Sequence, residues 1–528
     1  MKMSKQECQM RLAGERRGVS PMWTSTDTSG LRLDARWRTF RHWAFVVLST
    51  FVIGISSLAA QPGYDSAGPP VATIDLASAL RLAGVQNPEI LLARERVTEA
   101  VAVRQLAAAQ ILPSLNAGLN YDAHTGPLQQ ANGNILKVNR DALYVGAGAY
   151  AVAAGTVNIP GVLYNLNLSD SLFACLASKQ LVAQKRFAAD AARNEGLRQV
   201  GMAYIQLLRA EGQRAVNYQN LLEAGQIAKI TAAFAAKEEG RKSDAQRAAT
   251  EMDRRRIDLL DAQSAVQTAS ARLAELLNLD PSIRLHPVEE QVVPQPLVPD
   301  PIPLPELLAI ALLQRPELAE RQAVIRQAML ALANARLLPF SPTVLIGFSA
   351  GTFGGGSNLD AAATGAPRFG SFGQRNDFDV VAYWTLQNLG CGNKALINNS
   401  QSKLRQAELE RVAMLNRVRA EVADAAIRTR VRFAQTAVME EAVRTGLRAY
   451  AKDFERIRNR AGGLPIELLA SFQLLARARS EYVDAIADYN QAQLDLYVAL
   501  GQPPANMLAR PVPRNFATKE KMDEKNRP

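Results

Sequence analysis

Two stretches of this chain, Asn87 to Asn278 and Arg315 to Gly501, read as copies of one plan, and that plan is mostly very long helix. Each copy opens on a proline-started helix, Asn87-Pro88-Glu89-Ile90 in the first and Arg315-Pro316-Glu317-Leu318 in the second, and runs to a second proline, Pro113 or Pro339. An alternating apolar stretch, a Gly-rich loop, a second strand-like stretch and a helical run of more than sixty residues follow. That run breaks at Gly240 or at Gly462-Gly463. It resumes for about 35 residues, as far as Leu279-Asp280-Pro281 or Gly501-Gln502-Pro503-Pro504. The glycine breaks lie 222 residues apart and the opening prolines 228, so a self-similar period sets the architecture before any single motif does.

The long runs, Ser171 to Glu238 and Asn393 to Arg460, each span 68 residues. At 1.5 Å per residue that is roughly 100 Å of helix. The shorter helices of each half, Pro88 to Gln110 with its partner of about 35 residues in the first, nearly match the long one when stacked end to end. Coiled-coil spacing runs through them: Leu197, Val200, Tyr204, Leu207, Tyr218 and Leu221; Leu259, Ala262, Val266, Ala269, Leu273 and Leu276; Ile427, Val431, Ala434 and Val438; Tyr482, Ile486 and Tyr489. Ile74 to Gln86 reads as a short helix ahead of this framework.

Four segments read as strands. Ser114 to Tyr121 alternates Leu115, Ala117, Leu119 and Tyr121 against Ser114, Asn116, Gly118 and Asn120, one apolar face and one wet one. Gly161 to Leu168, Thr343 to Ala350 and Asp377 to Leu386 are the others. Asp122 to Pro160 reads as a long loop with a further strand at Leu143 to Tyr150, and Gly351 to Gln374 as a second loop. Separate hairpins leave their edges unpaired. An exported chain resolves this by closing a membrane barrel with copies of itself, so the pattern implies oligomerisation.

Arg36, Arg38, Arg41 and His42 precede an apolar run, Trp43 to Ala60, that ends on small residues. This is a secretory signal arrangement. Eighteen apolar residues could also just span a bilayer as an uncleaved anchor, but the Ser/Ala end suits a peptidase. Met22 is a candidate true start, which would shorten a basic region otherwise over-long. Part of the net charge of +11 lies here: the first 60 residues hold nine Lys/Arg and four Asp/Glu, leaving 52 against 46 and no case for a nucleic-acid partner. No later segment is apolar enough to cross a membrane as a helix.

The expected organisation is a leader at 1–60, a flexible lead-in at 61–73, a first repeat at 74–281, a Pro-rich linker at 282–303, a second repeat at 304–505 and a polar tail at 506–528. Beyond Cys8, only Cys175 and Cys391 remain, and they read as independent buried thiols, although an oxidising compartment would permit a bridge. No cysteine sits at the cleavage point to accept a lipid. His124 and His286 have no Cys, His or carboxylate neighbours at ligand spacing, so no metal site is expected. Gly354-Gly355-Gly356 and Gly146-Ala147-Gly148 lack the strand, lysine and helix of a phosphate loop and read as exposed barrel loops. Arg417, Arg419, Arg428, Arg430 and Arg432, interleaved with Glu421 and Asp424, read as a solvated helix face, with an electropositive tunnel lining as the alternative. No catalytic constellation is present, so neither an enzyme nor a cofactor is expected.

These features together resemble the TolC-like outer-membrane efflux proteins over about residues 74 to 505. The paired Asn-Pro-Glu-Ile and Arg-Pro-Glu-Leu starts carry the resemblance, with the Leu-Pro helix ends, the stretch Trp384 to Gly392 and the tips Gly240-Arg241-Lys242-Ser243-Asp244 and Gly462-Gly463-Leu464-Pro465-Ile466-Glu467. The resemblance implies a mainly α homotrimer, each protomer giving four strands to one outer-membrane barrel and four helical columns to a periplasmic tunnel. Such ducts are passive exits for efflux or type I secretion, working with a periplasmic adaptor and an energised inner-membrane transporter. By the same resemblance, Gly240, Arg241, Ser243, Asp244, Gly462, Gly463, Leu464 and Pro465 would face the adaptor. Glu467 falls at the first acidic gate position, whereas Ala470 stands at the next, so a double acidic ring is not expected. Residue chemistry alone reads Glu467 as a first-turn acid complementing the helix dipole, a role compatible with a gate. Asp244 reads as a cap or first-turn acid. The competing reading of the whole chain is a periplasmic coiled-coil scaffold without a barrel.

Overall fold

The structure is a computed structural model that describes residues 71–149, 159–238, 240–289, 291–299, 302–357, 370–458 and 464–502. The leader, most of the lead-in, the tail, Gly462-Gly463 and parts of both expected loops lie outside these residues.

Helices dominate. Asp75, whose side chain accepts a hydrogen bond from the Ser78 amide at 3.0 Å, caps α1 (Leu76–Gln86). Asn87 then caps α2 (Pro88–Ala109), whose proline occupies the first turn, where no amide is needed. The long helix α3 spans Leu168–Ala236 and α4 spans Lys242–Leu276. In the second half α5 (Leu304–Gln314), α6 (Pro316–Leu337), α7 (Cys391–Arg458) and α8 (Pro465–Ala499) follow. Lengths match in pairs: 11 and 11, 22 and 22, 69 and 68, 35 and 35 residues. Helix α3 packs against α2, α4, α6 and α8, and α7 against α6 and α8. No described helix is both long and apolar enough to cross a membrane.

The end-to-end stack in the first half is joined by one side chain. Asn87, 2% exposed, accepts from the Glu89 and Ile90 amides through Oδ1 and donates through Nδ2 to the Leu276 carbonyl at 2.9 Å. It therefore caps one helix and closes the open end of another. Asn87→Ala is expected to cost about 1–2 kcal/mol, the loss of a cap with a part-buried carbonyl left unmet; thermal melts that match wild type would remove Asn87 from this role.

The apolar spacing is obeyed unevenly. Leu197, Val200, Tyr204, Leu207, Ala262, Val266, Leu273, Ile486 and Tyr489 are buried as expected. Tyr218 is exposed, and so is the expected α7 stripe of Ile427, Val431 and Val438, while Val418, Val422, Ala425 and Thr429 face the protomer's own core. A stripe can only predict that something covers it.

Strands fall into two sheets. β1 (Val71–Ile74) lies inside what reads as lead-in and linker: it pairs in parallel with β7 (Arg284–Pro287), Thr73 opposite His286. Val71 to Thr73 of the one and Arg284 to Pro287 of the other are thus strand. The larger sheet holds β2 (Ser114–Leu115), β3 (Ala117–Gln129), β4 (Ile135–Ala149), β5 (Ile159–Pro160), β6 (Val162–Asn167), β8 (Thr343–Ser357) and β9 (Gly370–Tyr383). Most of the two expected loops is therefore strand. β3 continues through Asp122 to Gln129 and returns as β4 after a turn at 130–134. Gly354-Gly355-Gly356 and Gly146-Ala147 are strand residues paired across β4 and β8, and Gly148 pairs with Pro160 of β5, so none of them is a loop. Trp384 to Leu386, read as strand, lies beyond the end of β9.

The physical reason is close approach. A Cβ on Gly146 would stand 2.5 Å from the Ala350 carbonyl oxygen, and one on Gly351 would stand 2.7 Å from the Tyr144 ring. Tyr144 is buried and donates its hydroxyl to the Ala147 carbonyl at 2.8 Å, lying across a floor that only glycine leaves open.

Candidate functional site: a two-faced sheet and two helical tips

Along β8, residues 343–348 pair with β6 and residues 350–357 with β4, while β9 follows the other side of β8 for almost its whole length. β2 and β3 lie outside β6 and β4. Since residues directly opposite in a ladder share a face, the register sorts the side chains. One face collects Leu115, Leu119, Tyr121, Val145, Val162, Ile346, Phe348, Phe378 and Val380, with Asp141, Gln374 and Asn376 farther from the helices. The other collects Asn120, Asp122, His124, Arg140, Asn165, Ser349, Arg375, Asp377 and Asp379, with Tyr144, Leu345, Phe353 and Val381 among them. On the polar face Arg140 lies 3.8 Å from Asp122 and Arg375 lies 2.9 Å from Asp377, with Arg375 also over the Phe353 ring. The apolar face stands open in the protomer: Leu119, Tyr121, Phe378 and Val380 are all exposed. Leu115, Leu119 and Tyr121 were legible in sequence; the rest needed the register.

Where strands become helices, a polar knot fixes the joint. Asn167 caps α3 and donates to Thr343 Oγ1 at 3.0 Å, Ser341 Oγ accepts from the Ser169 amide at 2.8 Å, and Asn334 donates to Asp170 at 2.7 Å. At the other joint Asn388, Leu389 and Gly390 hold left-handed backbone in succession, and the Gln387 amide donates to Asn393 Oδ1 at 2.8 Å. Cys175 is half-buried and Cys391 exposed, and both thiols are free, so neither is the buried thiol the sequence suggests.

Below the sheet, α3 and α8 are joined by charge. Arg198 pairs with Asp495 at 3.0 Å, Arg209 with Asp484 at 2.7 Å, Gln213 donates to Asp484 at 2.8 Å, and Arg479 grips Glu223 at 2.7 and 3.1 Å. Sequence reasoning missed this ladder, because its partners lie more than 250 residues apart. The expected solvated Arg face is partly tied down as well: Arg428 pairs with Asp424, and Arg432 reaches Asp488 at 3.2 Å. His286 meets Glu211 at 3.0 Å, a carboxylate neighbour that sequence spacing could not reveal.

At the far end, Tyr450, Phe454 and Phe472 cluster with Ile457 and Leu468, and Arg255 stacks over the Phe472 ring. Burial pushes the Tyr450 phenol up to about 12, with the Glu223 charge adding to it. The first turn, holding Gly240, follows Glu238, which has left-handed backbone. Arg241 is the N-cap of α4 without a side-chain cap bond, and Ser243 and Asp244 lie in the first turn. Asp244 pairs with Arg247 at 3.2 Å, as a first-turn acid does. Leu464 is the N-cap of α8 and Pro465 its first residue. Glu467 also sits in the first turn, half-exposed, 3.6 Å from Arg456. Gly462 and Gly463 lie outside the described residues.

No protein-family model matches the chain, and no curated protein matches it by sequence. Solved structures do match. A membrane protein from Pseudomonas aeruginosa aligns with 83% of this chain and 99% of its own at 18% identity and a TM-score of 0.66. The outer-membrane protein VceC of Vibrio cholerae aligns over 81% and 96% at 16% identity and 0.60. The open state of the Neisseria gonorrhoeae MtrE outer-membrane channel aligns over 81% and 89% at 17% identity and 0.60. The chain has the fold of the TolC-like outer-membrane channels. In that TolC-like fold the two-faced sheet and the two helical tips stand at opposite ends of the long helices α3 and α7.

Proposed function

We propose that this protein is the outer-membrane exit duct of a tripartite efflux or type I secretion system. It would act as a passive channel rather than an enzyme, with a periplasmic adaptor and an energised inner-membrane transporter supplying substrate and work. The observation that carries the reading is the sheet: an apolar face fit for lipid, a polar face fit for a water-filled lumen, and outer edges at β2/β3 and β9 with no partner among the described residues. Taken as four columns, β2/β3, β4/β6, β8 and β9, three copies give an even-numbered closed barrel. The two repeats, 74–281 and 304–505, each supply one long and one stacked helical column, and the exposed α7 stripe of Ile427, Val431 and Val438 is a seam for a neighbouring protomer. An export signal at 1–60 would deliver the chain.

The test is fractionation. Heat-modifiable trimers in outer-membrane fractions are expected, whereas a protein soluble without detergent would sink the duct and leave the periplasmic scaffold.

The tips, Gly240 to Asp244 and Gly462 to Pro465, are the proposed adaptor-facing end, and Glu467 the proposed gate residue. Three Glu467 carboxylates at a narrow opening would attract cations, even with Arg456 beside each of them. Glu467→Gln is expected to lower cation selectivity and divalent-cation block in planar bilayers; unchanged currents would remove it from the gate.

A further inference from the structure

Between the proline-rich run after β7 and the helices α7 and α8 lies a cavity of about 430 Å³, within the size range of small-molecule sites. Pro294, Pro296, Val298 and Leu307 wall one side, and Phe433 and Tyr489, ring centroids 5.4 Å apart, wall the other. Its polar groups are committed elsewhere. Gln493 accepts from the Leu297 and Val298 amides at 3.1 and 3.0 Å and donates to Tyr489 Oη at 2.8 Å, and Thr429 donates to the Ala425 carbonyl at 2.8 Å. The interior therefore offers a guest mainly apolar surface. No Asp or Glu lines it. One cation does: Arg430, exposed at the rim, donates to the Ile302 carbonyl at 3.4 Å and pairs with no carboxylate among the described residues. Its neighbours Arg428 and Arg432, by contrast, are ion-paired with Asp424 and Asp488.

We propose that this cavity binds a small apolar carboxylate, its aryl or alkyl body held between the proline run and the Phe433–Tyr489 pair and its carboxylate held on Arg430. Both halves of the ligand are specified: a hydrophobic slot with its own polar atoms satisfied rejects a polar body, and an unpaired guanidinium selects an anionic head. The inference stands whether or not the chain forms a duct, because the cavity lies within one protomer.

The probe is 4-phenylbutyrate, added to the detergent-free, amphipol-held full chain and followed by saturation-transfer NMR and thermal shift. Saturable binding is expected, with the neutral amide of the same acid about 10-fold weaker, the effect of losing one charge-assisted hydrogen bond. Arg430→Glu, a change at an exposed position, should weaken the acid by at least as much and turn the preference towards 4-phenylbutylamine. Ala426→Phe, at a buried lining position, should abolish binding of all three. No binding by wild type, equal binding of acid and amide, or an Arg430→Glu protein with unchanged affinity for the acid would each overturn the proposal.

Discussion

Gly146→Val is expected to leave the protein without its larger sheet: a chain recovered as aggregate or degraded and, on the proposed duct reading, no heat-modifiable oligomer. A side chain at position 146 would begin 2.5 Å from both the Ala350 carbonyl oxygen and the Gly351 Cα, against a favourable carbon separation of roughly 3.5–4.0 Å. These are backbone atoms, so no rotamer change relieves the clash. The register of β4 on β8, which runs from Arg140 opposite Ser357 to Ala147 opposite Ala350, must part instead. Overpacking of mobile side chains typically costs about 1–3 kcal/mol, and a clash with a fixed ladder belongs above that range. Gly373→Ala is the control, because nothing lies within 4 Å of the added carbon and the backbone there is ordinary strand. Normal assembly of the Gly146 variant would show that β4 and β8 do not lie this close in the working protein.

The second large effect is expected at the α3–α8 seam. Arg479 holds Glu223 through two bonds, and their side chains are only 18% and 11% exposed. Arg479→Ala strands a carboxylate in a site nearly closed to water. Breaking a buried pair costs about 3–5 kcal/mol, and the residual exposure places this one near the lower end. Arg479→Leu combined with Glu223→Leu should recover most of the loss, since the charge and its partner leave together. Thermal denaturation of the two single variants and the double variant measures the coupling. Additive losses would mean that the pair is a surface contact in solution.

The helices were legible because each carries its own evidence. The proline starts at Pro88 and Pro316, the break at Gly240 and the matched lengths are all local, and helix hydrogen bonds close within a turn. The strands were half legible. Alternation at Leu115 to Tyr121 announced β3, but the glycine runs after it read as loop, because glycine is depleted from strands unless another backbone approaches. That approach is a property of β4 and β8 together, two segments some 200 residues apart in the chain, and no local window contains it. What covers the α7 stripe was illegible for a related reason: Ile427 and Val431 have coiled-coil spacing, yet this protomer gives them nothing to pack on.

For the candidate site the division is the same. Sequence named the tips and Glu467, and resemblance rather than spacing gave them a role. It could not name Arg456 as the neighbour of Glu467, Arg479 as the partner of Glu223, or Arg430 as the open cation on an apolar cavity. The chain by itself determined the period, the helix lengths and the proline and glycine boundaries, because those depend on backbone preferences within a few residues. Tertiary structure alone decided which residues share a face of the sheet, which charges pair across the seam and which glycines cannot change. Those contacts form between segments whose separation along the chain says nothing about their separation in space.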